Sequence, residues 1–187
     1  MKLATTTVTN FSNYRLLACF AHPDDEAFPV GGTLAMYSSL GASIALITTT
    51  SGQLGEIRQD GIATKDTLGN VRSAELRESA QALGINRLNI LTYKDSGMAG
   101  WDANKDPDAF INANPSIIRS QLVKEIRTFK PHVLLTFEPT GLYGHPDHIA
   151  ISQQSTDAFY YSGEATYEPD PNQPIAPWKV SKLIYCA

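Results

Sequence analysis

Short apolar runs alternate with amphipathic helical segments along the chain, and this alternation constrains the fold more than any other feature. Continuous apolar runs bounded by turn residues predict five buried strands, at 15–20, 43–49, 88–91, 132–137 and 180–186. Apolar residues at helical spacing predict four helices between them, at 25–40, 71–83, 115–129 and 146–160. We therefore expect an α/β fold, a three-layer sandwich in which helices cover both faces of a mostly parallel sheet.

Length and charge narrow the class of protein. The chain has 187 residues and a net charge of −4, and no stripe of Lys and Arg. We expect one domain over residues 1–187 and no binding to nucleic acid. No stretch approaches the roughly 20 apolar residues that span a bilayer, and Met1–Asn13 lacks the apolar core of a signal peptide. The sequence thus predicts a cytoplasmic protein with no membrane partner.

The two cysteines, Cys19 and Cys186, both lie inside apolar runs, and they do not have the spacing of a metal-binding pair. Two buried reduced thiols are the expected state in a cytosolic protein, and a disulfide between them is the alternative. The cysteines therefore predict no cysteine-based zinc site.

Two clusters of histidine and acidic residues directly follow predicted strands. The first is His-Pro-Asp-Asp-Glu at residues 22–26, and the second is His-Pro-Asp-His at residues 145–148. Right-handed crossovers place the carboxyl ends of parallel strands at one edge of a sheet, where ligands bind. His22 and Asp25 are three residues apart, and so are His145 and His148, which is the spacing of one face of a helical turn. The proline that is second in each cluster suits a first helical turn. We expect the two clusters to meet.

These residue types fit a catalytic zinc site, which takes three His, Asp or Glu ligands and keeps one position for water. His22, Asp25 and His148 are the predicted ligands. Asp24 is predicted to act as general base on the metal-bound water. His145 is left to stabilise an oxyanion or to assist proton transfer.

For either cluster alone, an ordinary structural role is an equal alternative. Asp24, Asp25 and Glu26, like Asp147, are residue types that favour a helix N-terminus through the helix dipole. Two such clusters at two strand exits of one sheet favour the metal site.

The same residues resemble motifs of the PIG-L/LmbE-like family of metal-dependent N-deacetylases. The Ala-His-Pro-Asp-Asp-Glu motif is intact at residues 21–26, and Gly-His-Pro-Asp-His is intact at residues 144–148. The loop at 50–56 and the Arg-x-x-Glu helix at 72–75 are also similar, and residues 95–110 look most like the branch acting on mycothiol-pathway compounds.

The resemblance implies a Rossmann-like fold and one Zn²⁺, with Fe²⁺ as the alternative metal. It carries over the ligand and base roles given above, and it implies that Asp147 orients its neighbours. It also implies that Arg72 contacts the sugar, whereas the sequence alone favours a surface ion pair of Arg72 with Glu75. Glu56 and Asp95 are further substrate-binding candidates, with an ordinary loop acid and a turn cap as the respective alternatives.

The implied activity is removal of an acetyl group from an N-acetylglucosamine-type conjugate. The alternatives are another metal-dependent amidase, a phosphoesterase, or an inactive sugar- or nucleotide-binding module. Family members usually continue beyond the strand that ends at Cys186, so this LmbE-like domain is expected to be short at its C-terminus. Exposed sheet edges make a homo-oligomer compatible with the sequence.

Overall fold

The computed structural model describes residues 10–187, so the prediction that Met1–Asn13 is no signal peptide falls largely outside the described residues. Within them the chain forms a five-stranded sheet in which every strand pair is parallel. The strands are β1 (Arg15–Phe20), β2 (Ser43–Thr50), β3 (Arg87–Tyr93), β4 (Val133–Phe137) and β5 (Lys182–Cys186). The predicted α/β class is confirmed.

The strand order β3-β2-β1-β4-β5 places β1 at the centre of the sheet. Ala18 of β1 lies opposite Leu46 of β2 on one side and Leu135 of β4 on the other. The chain winds outward from β1 to β3 and then crosses back to β4, so the winding direction reverses between β1 and β4. This is a Rossmann-like arrangement, in which the reversal point is where ligands bind.

Helices cover both faces of the sheet. They are α1 (Gly31–Ser39), α2 (Leu68–Ala82), α3 (Pro115–Phe129), the single turn α4 (Gly141–Gly144) and α5 (Pro146–Tyr161). Right-handed crossovers put α1 and α2 on one face and α3 and α5 on the other, where α3 and α5 pack against each other. The predicted three-layer sandwich is confirmed.

The bounds of helix α3 follow from its capping residue and its buried apolar stripe. The Asn114 side chain accepts a hydrogen bond from the Ser116 amide at 2.9 Å, and Pro115 stands at the first helical position. Ile118, Leu122 and Ile126 form the buried stripe. The predicted range of α3 is therefore the observed one.

The predicted bounds of the first helix depart furthest from the structure, whereas those of α2, β3 and β5 differ by two or three residues. A helix was expected from residue 25, but α1 begins only at Gly31, and residues 23–30 form turns. Asp24 has a φ of 103°, which interrupts a right-handed helical path. The neighbouring carboxylates of Asp25 and Glu26 also bind backbone amides of the same segment. His22 and Asp25 thus meet across a turn rather than on a helix face.

The core consists mainly of β1, β2, β4 and the inner sides of the helices. Cys19 is buried and Cys186 is half-buried, and both are free thiols, as expected. Burial raises the pKa of Cys19 to about 12 and that of Cys186 to about 11, so neither is a reactive thiolate at neutral pH. Among residues 10–187, no helix combines the length and the apolar character needed to cross a bilayer. The strands β3 and β5 form the edges, and a homo-oligomer stays a prediction.

Candidate metal centre and active-site cavity

The two clusters meet at the carboxyl edge of the sheet, one following β1 and the other following β4. His22 Nδ1 lies 3.2 Å from His148 Nε2, although the two residues are 126 positions apart. Asp25 Oδ1 lies 3.4 Å from His148 Nε2, and Asp25 Oδ2 lies 3.6 Å from His22 Nδ1. The predicted ligands are therefore brought together around one point.

This donor set fits a metal ion. Two imidazole nitrogens and a carboxylate are ligands that zinc takes in catalytic sites, and imidazole also suits iron. The ring nitrogens that face each other, His22 Nδ1 and His148 Nε2, are 3.2 Å apart. A lone pair on each can be directed at a shared ion. The opposite ring nitrogen, His148 Nδ1, and Asp147 Oδ1 are buried without a hydrogen-bond partner among the described residues.

Further side chains converge on the same point. His145 also brings a ring nitrogen within 4.8 Å of ligand atoms of His22 and His148. A second group within the same distance consists of His22, Asp95, His145 and Asp147. The carboxyl edge therefore holds more potential ligands than one ion needs.

Packing and backbone bonds fix the orientation of the predicted ligands. The His148 ring stacks on Phe137, the last residue of β4, with ring centroids 4.0 Å apart. Asp25 Oδ2 accepts hydrogen bonds from the amides of Ala21 at 3.1 Å and His22 at 2.8 Å. Burial raises the pKa of Asp25. Bonding to His148 and the charge of His22 lower it by more, so the net pKa is below its usual range. Asp25 Oδ1 remains turned toward His148.

His22 lies among carboxylates. Its Nε2 is 3.1 Å from Asp147 Oδ2 and 3.6 Å from Asp95 Oδ1. Burial lowers the pKa of His22, but bonding to Asp147 and Asp95 outweighs it and raises the pKa to about 10. Without a metal, a proton therefore satisfies the negative charge around this ring. A divalent cation would compete with that proton.

Asp147 lies under the site and is fully buried. Its Oδ2 accepts a hydrogen bond from the Ser96 amide at 3.0 Å, in addition to its contact with His22. The carboxylate thus joins the loop after β3 to the first histidine of the site. The orienting role that the resemblance implies for Asp147 stays a prediction.

His145 stands at the N-terminus of α5, where its Nδ1 accepts a hydrogen bond from the Asp147 amide at 3.1 Å. A neutral ring that accepts at Nδ1 carries its hydrogen on Nε2, so this tautomer follows from the hydrogen-bond geometry. Burial and the positive charge of His22 lower the pKa of His145 to about 4. At neutral pH, His145 is therefore an uncharged hydrogen-bond donor.

Asp24 is the exposed acid of the first cluster, with 72% of its side chain accessible. Its φ of 103° is strained for a residue with a side chain, and such strain is concentrated at functional sites. Desolvation by the surrounding protein raises the pKa of Asp24, and the guanidinium of Arg72 opposes that rise only in part. Both Asp24 and His145 line the same cavity.

Arg72 connects α2 to the first cluster. It donates hydrogen bonds to the backbone carbonyls of Gly52 at 2.8 Å and of Pro23, and it pairs with Asp24 Oδ2 at 2.9 Å. Within residues 10–187 no ion pair joins Arg72 to Glu75, so the expected surface pair is not formed. Arg72 lines the cavity, with much of its hydrogen-bonding capacity already used.

The two other substrate-binding candidates differ. Glu56 lies at the cavity rim, is mostly exposed and pairs with Arg58 at 3.1 Å. Asp95 is buried, and it accepts hydrogen bonds from the amides of Gly97 at 2.8 Å and Leu54 at 3.1 Å. Asp95 therefore does cap a turn, and it also faces His22.

A cavity of about 640 Å³ opens over the cluster. Its floor is polar, and its walls carry the apolar side chains of Leu54, Ile62, Met98 and Trp101. Sequence reasoning missed Tyr143, which also lines the cavity and whose ring lies 5.0 Å from that of His148. Its position two residues before His145 was the available signal.

The chain is similar to known proteins over most of its length. A sequence profile of the PIG-L family, described as GlcNAc-PI de-N-acetylase, matches residues 17–159. A 1D-myo-inositol 2-acetamido-2-deoxy-alpha-D-glucopyranoside deacetylase of Rhodococcus jostii (strain RHA1) is 40% identical over 183 residues, covering 93% of this chain and 61% of that protein. The chain thus spans about three fifths of the length of this curated relative.

Solved structures support the fold. N,N'-diacetylchitobiose deacetylase from Pyrococcus horikoshii is similar with a TM-score of 0.66 and 23% identity, over 82% of this chain and 52% of that one. The 4-carboxy-2-hydroxymuconate hydratase of Pseudomonas putida KT2440 is similar with a TM-score of 0.65 and 20% identity, over 88% of this chain and 63% of that one. At this level of identity the likeness concerns the fold, whereas the profile match covers most of the sequence. The chain belongs to the PIG-L family.

Proposed function

We propose that this chain is a metal-dependent deacetylase that hydrolyses the acetamido group of an N-acetylglucosamine-type conjugate. The observation that carries the proposal is the convergence of His22, Asp25 and His148 on one point, with Asp24 and His145 lining the cavity above it. The names of the curated relatives favour an amino-sugar conjugate of inositol as the first substrate to test.

In this proposal His22, Asp25 and His148 would hold one Zn²⁺, with Fe²⁺ as the alternative. When bound, the ion would act as a Lewis acid and make water a stronger nucleophile near neutral pH. The chain's own residues then supply orientation and proton transfer. His148 is held by its stacking on Phe137, and Asp25 by the two backbone amides that it accepts from.

Asp24 would be the general base. Its carboxylate takes a proton from the attacking water as the water oxygen bonds to the acetyl carbon. The carbon–nitrogen bond then breaks, and the same carboxyl returns the proton to the amine nitrogen. The products are acetate and a free amino sugar. Asp147, which bonds His22 and Ser96, would act as an orienting group.

His145 would stabilise the oxyanion that develops on the acetyl oxygen. Of the two roles left open by the sequence, the hydrogen bond that Nδ1 accepts from the Asp147 amide supports the donor role. The hydrogen on Nε2 is then free to be donated. Arg72, Glu56 and Asp95 are proposed to shape the sugar subsite.

The decisive experiment measures acetate release from this conjugate with and without a chelator. We expect one metal ion per chain, loss of activity on chelation and recovery on addition of Zn²⁺ or Fe²⁺. Asp24→Ala should retain the metal and lose activity by about 10²–10⁴-fold, the usual contribution of a general base. Near-normal turnover by Asp24→Ala would remove Asp24 from the mechanism, and two ions per chain would favour a phosphoesterase.

A further inference from the structure

Glu26 is the one acid of the first cluster to which the proposed mechanism gives no role. It is almost fully buried, with 1% of its surface accessible. No Lys or Arg of residues 10–187 forms an ion pair with its carboxylate. A buried carboxylate without a counter-ion is costly unless hydrogen bonds hold it.

The hydrogen bonds of Glu26 lead to the proposed base. Its Oε2 accepts from the backbone amide of Asp24 at 3.0 Å, and its Oε1 accepts from the hydroxyl of Ser79 at 2.6 Å. Ser79 belongs to α2, the helix that also carries Arg72. Glu26 therefore connects the backbone of Asp24 to helix α2.

The position of this contact is significant because Asp24 has a strained backbone, with a φ of 103°. A residue remains in such a conformation only where its surroundings hold it. Arg72 holds the segment through the Pro23 carbonyl and the Asp24 carboxylate. Glu26 holds it through the Asp24 amide.

We propose that Glu26 is a positioning residue, which acts on the reaction by holding the strained backbone of Asp24 and so directing the Asp24 carboxylate over the metal site. The inference rests on the proposed function, because it needs Asp24 as the base. A cavity of about 270 Å³, lined by Glu26, Ser79, Asp24 and Arg72 among others, lies at this junction. Without Glu26, this space would allow the segment to relax.

The test is a double-mutant cycle between Glu26→Ala and Asp24→Ala, with acetate release, bound metal and thermal stability measured for each variant. Glu26→Ala alone should lower kcat by about 10- to 100-fold, the effect of a misplaced catalytic group, with KM and metal content unchanged. In the Asp24→Ala background it should lower the residual rate by less than about two-fold, because the group that it positions is gone. Glu26→Gln, which keeps an acceptor oxygen, should recover most of kcat.

Ser79→Ala provides a milder variant if Glu26→Ala does not fold. It removes only the hydroxyl bond, and we expect a loss of about three- to ten-fold that again disappears in the Asp24→Ala background. Glu78→Ala is the matched control, because Glu78 is the exposed neighbour on the same helix. It should leave kcat unchanged.

An equal loss with and without Asp24 would overturn the inference, since Glu26 would then act on the whole structure. A normal rate for Glu26→Ala would overturn it as well. Either result leaves the proposed function intact, provided that Asp24→Ala alone is strongly impaired. If Asp24→Ala is not impaired, the general-base proposal itself fails.

Discussion

Charged side chains are buried both where the strands begin, at the amino edge of the sheet, and where the strands end, at the carboxyl edge. The two places differ in how completely these side chains are hydrogen-bonded. At the amino edge, Arg127 from the last turn of α3 is 1% exposed and donates to four backbone carbonyls. The acceptors are the carbonyls of Ser162 at 3.1 Å, Ile175 at 3.0 Å, Glu164 at 2.7 Å and Tyr161 at 3.4 Å. The guanidinium thereby satisfies the carboxyl end of α5 and the loop that follows it.

At the carboxyl edge, buried polar atoms remain without partners. Asp147 Oδ1 and His148 Nδ1 have no hydrogen bond among the described residues, and Asp24 is strained. Native proteins rarely leave such groups unpaired unless a ligand, water or a functional role explains them. At the amino edge the buried guanidinium is fully hydrogen-bonded, while the carboxyl edge leaves buried polar atoms available to the proposed metal site.

The largest expected effect is a difference in metal binding and activity between variants of two histidines, one at each edge. His148→Ala should abolish stoichiometric metal binding and lower activity by about 10³-fold, because several kcal/mol of transition-state stabilisation depend on the bound ion. His132→Ala is the matched control at the amino edge, where His132 Nδ1 accepts from the Arg15 amide at 3.1 Å. It should keep metal and activity and cost only about 1 kcal/mol of stability. Metal analysis and acetate release would measure both, and bound metal in His148→Ala would break the comparison.

Arg127→Ala should be the most destabilising change at the amino edge. It removes four hydrogen bonds and the packing of an almost fully buried side chain, and we expect a loss of about 3–5 kcal/mol in the free energy of unfolding, measured by urea denaturation. Lys124→Ala, on the same helix but half-exposed and paired with Asp170, should cost less than about 1 kcal/mol. At temperatures where the protein stays folded, both variants should retain wild-type kcat. A lower kcat in folded Arg127→Ala would show that the two edges are coupled.

A pH titration of the metal-free protein would sharpen the comparison further. The pKa of His22 is about 10 in the folded chain, against 6.5 for an unperturbed histidine. Below pH 6.5 the ring is protonated in both states, and its contacts with carboxylates stabilise the fold fully. Between that pH and about 10, folding takes up a proton, so stability falls by up to about 1.4 kcal/mol per pH unit as pH rises.

Denaturation at pH 7, 8 and 9 after chelation would measure this slope, and His22→Gln should remove most of it. The same titration predicts that metal binding at pH 8 releases about one proton, because the ion replaces the proton on His22. Calorimetry in buffers of different ionisation enthalpy measures that number. An identical slope in wild type and His22→Gln would place the titrating group elsewhere.

Much of the fold was predictable because local signals agreed with the global arrangement. The ranges of β1 and α3 were predicted to the residue, since a continuous apolar run and a capped, amphipathic segment each define their own ends. The start of α1 was not. Asp25 and Glu26 use their carboxylates on backbone amides of the same turn, and a propensity pattern contains no information on such side-chain bonds.

The candidate site shows the same division. The meeting of His22 with His148 followed from two strand exits in a parallel sheet. The pairing of Arg72 with Asp24 did not follow from the sequence, because the two residues are 48 positions apart and the nearby Glu75 was the simpler partner to predict. The buried position of Glu26 also depended on α2 packing over the turn. Long-range contacts between a turn and a helix are decided by tertiary packing, which spacing rules do not predict.

The distance along the chain between the two halves of the site has a consequence for biosynthesis. His22 follows β1 and His148 lies in the first turn of α5, after the neighbouring strand β4, yet 126 positions separate the two residues. A nascent chain emerging from the ribosome would display His22 and Asp25 long before His148 is available. In the proposed site, tight capture of an ion would therefore await closure of this long loop, so the metal would enter a nearly finished fold and would not act as an early nucleus for folding.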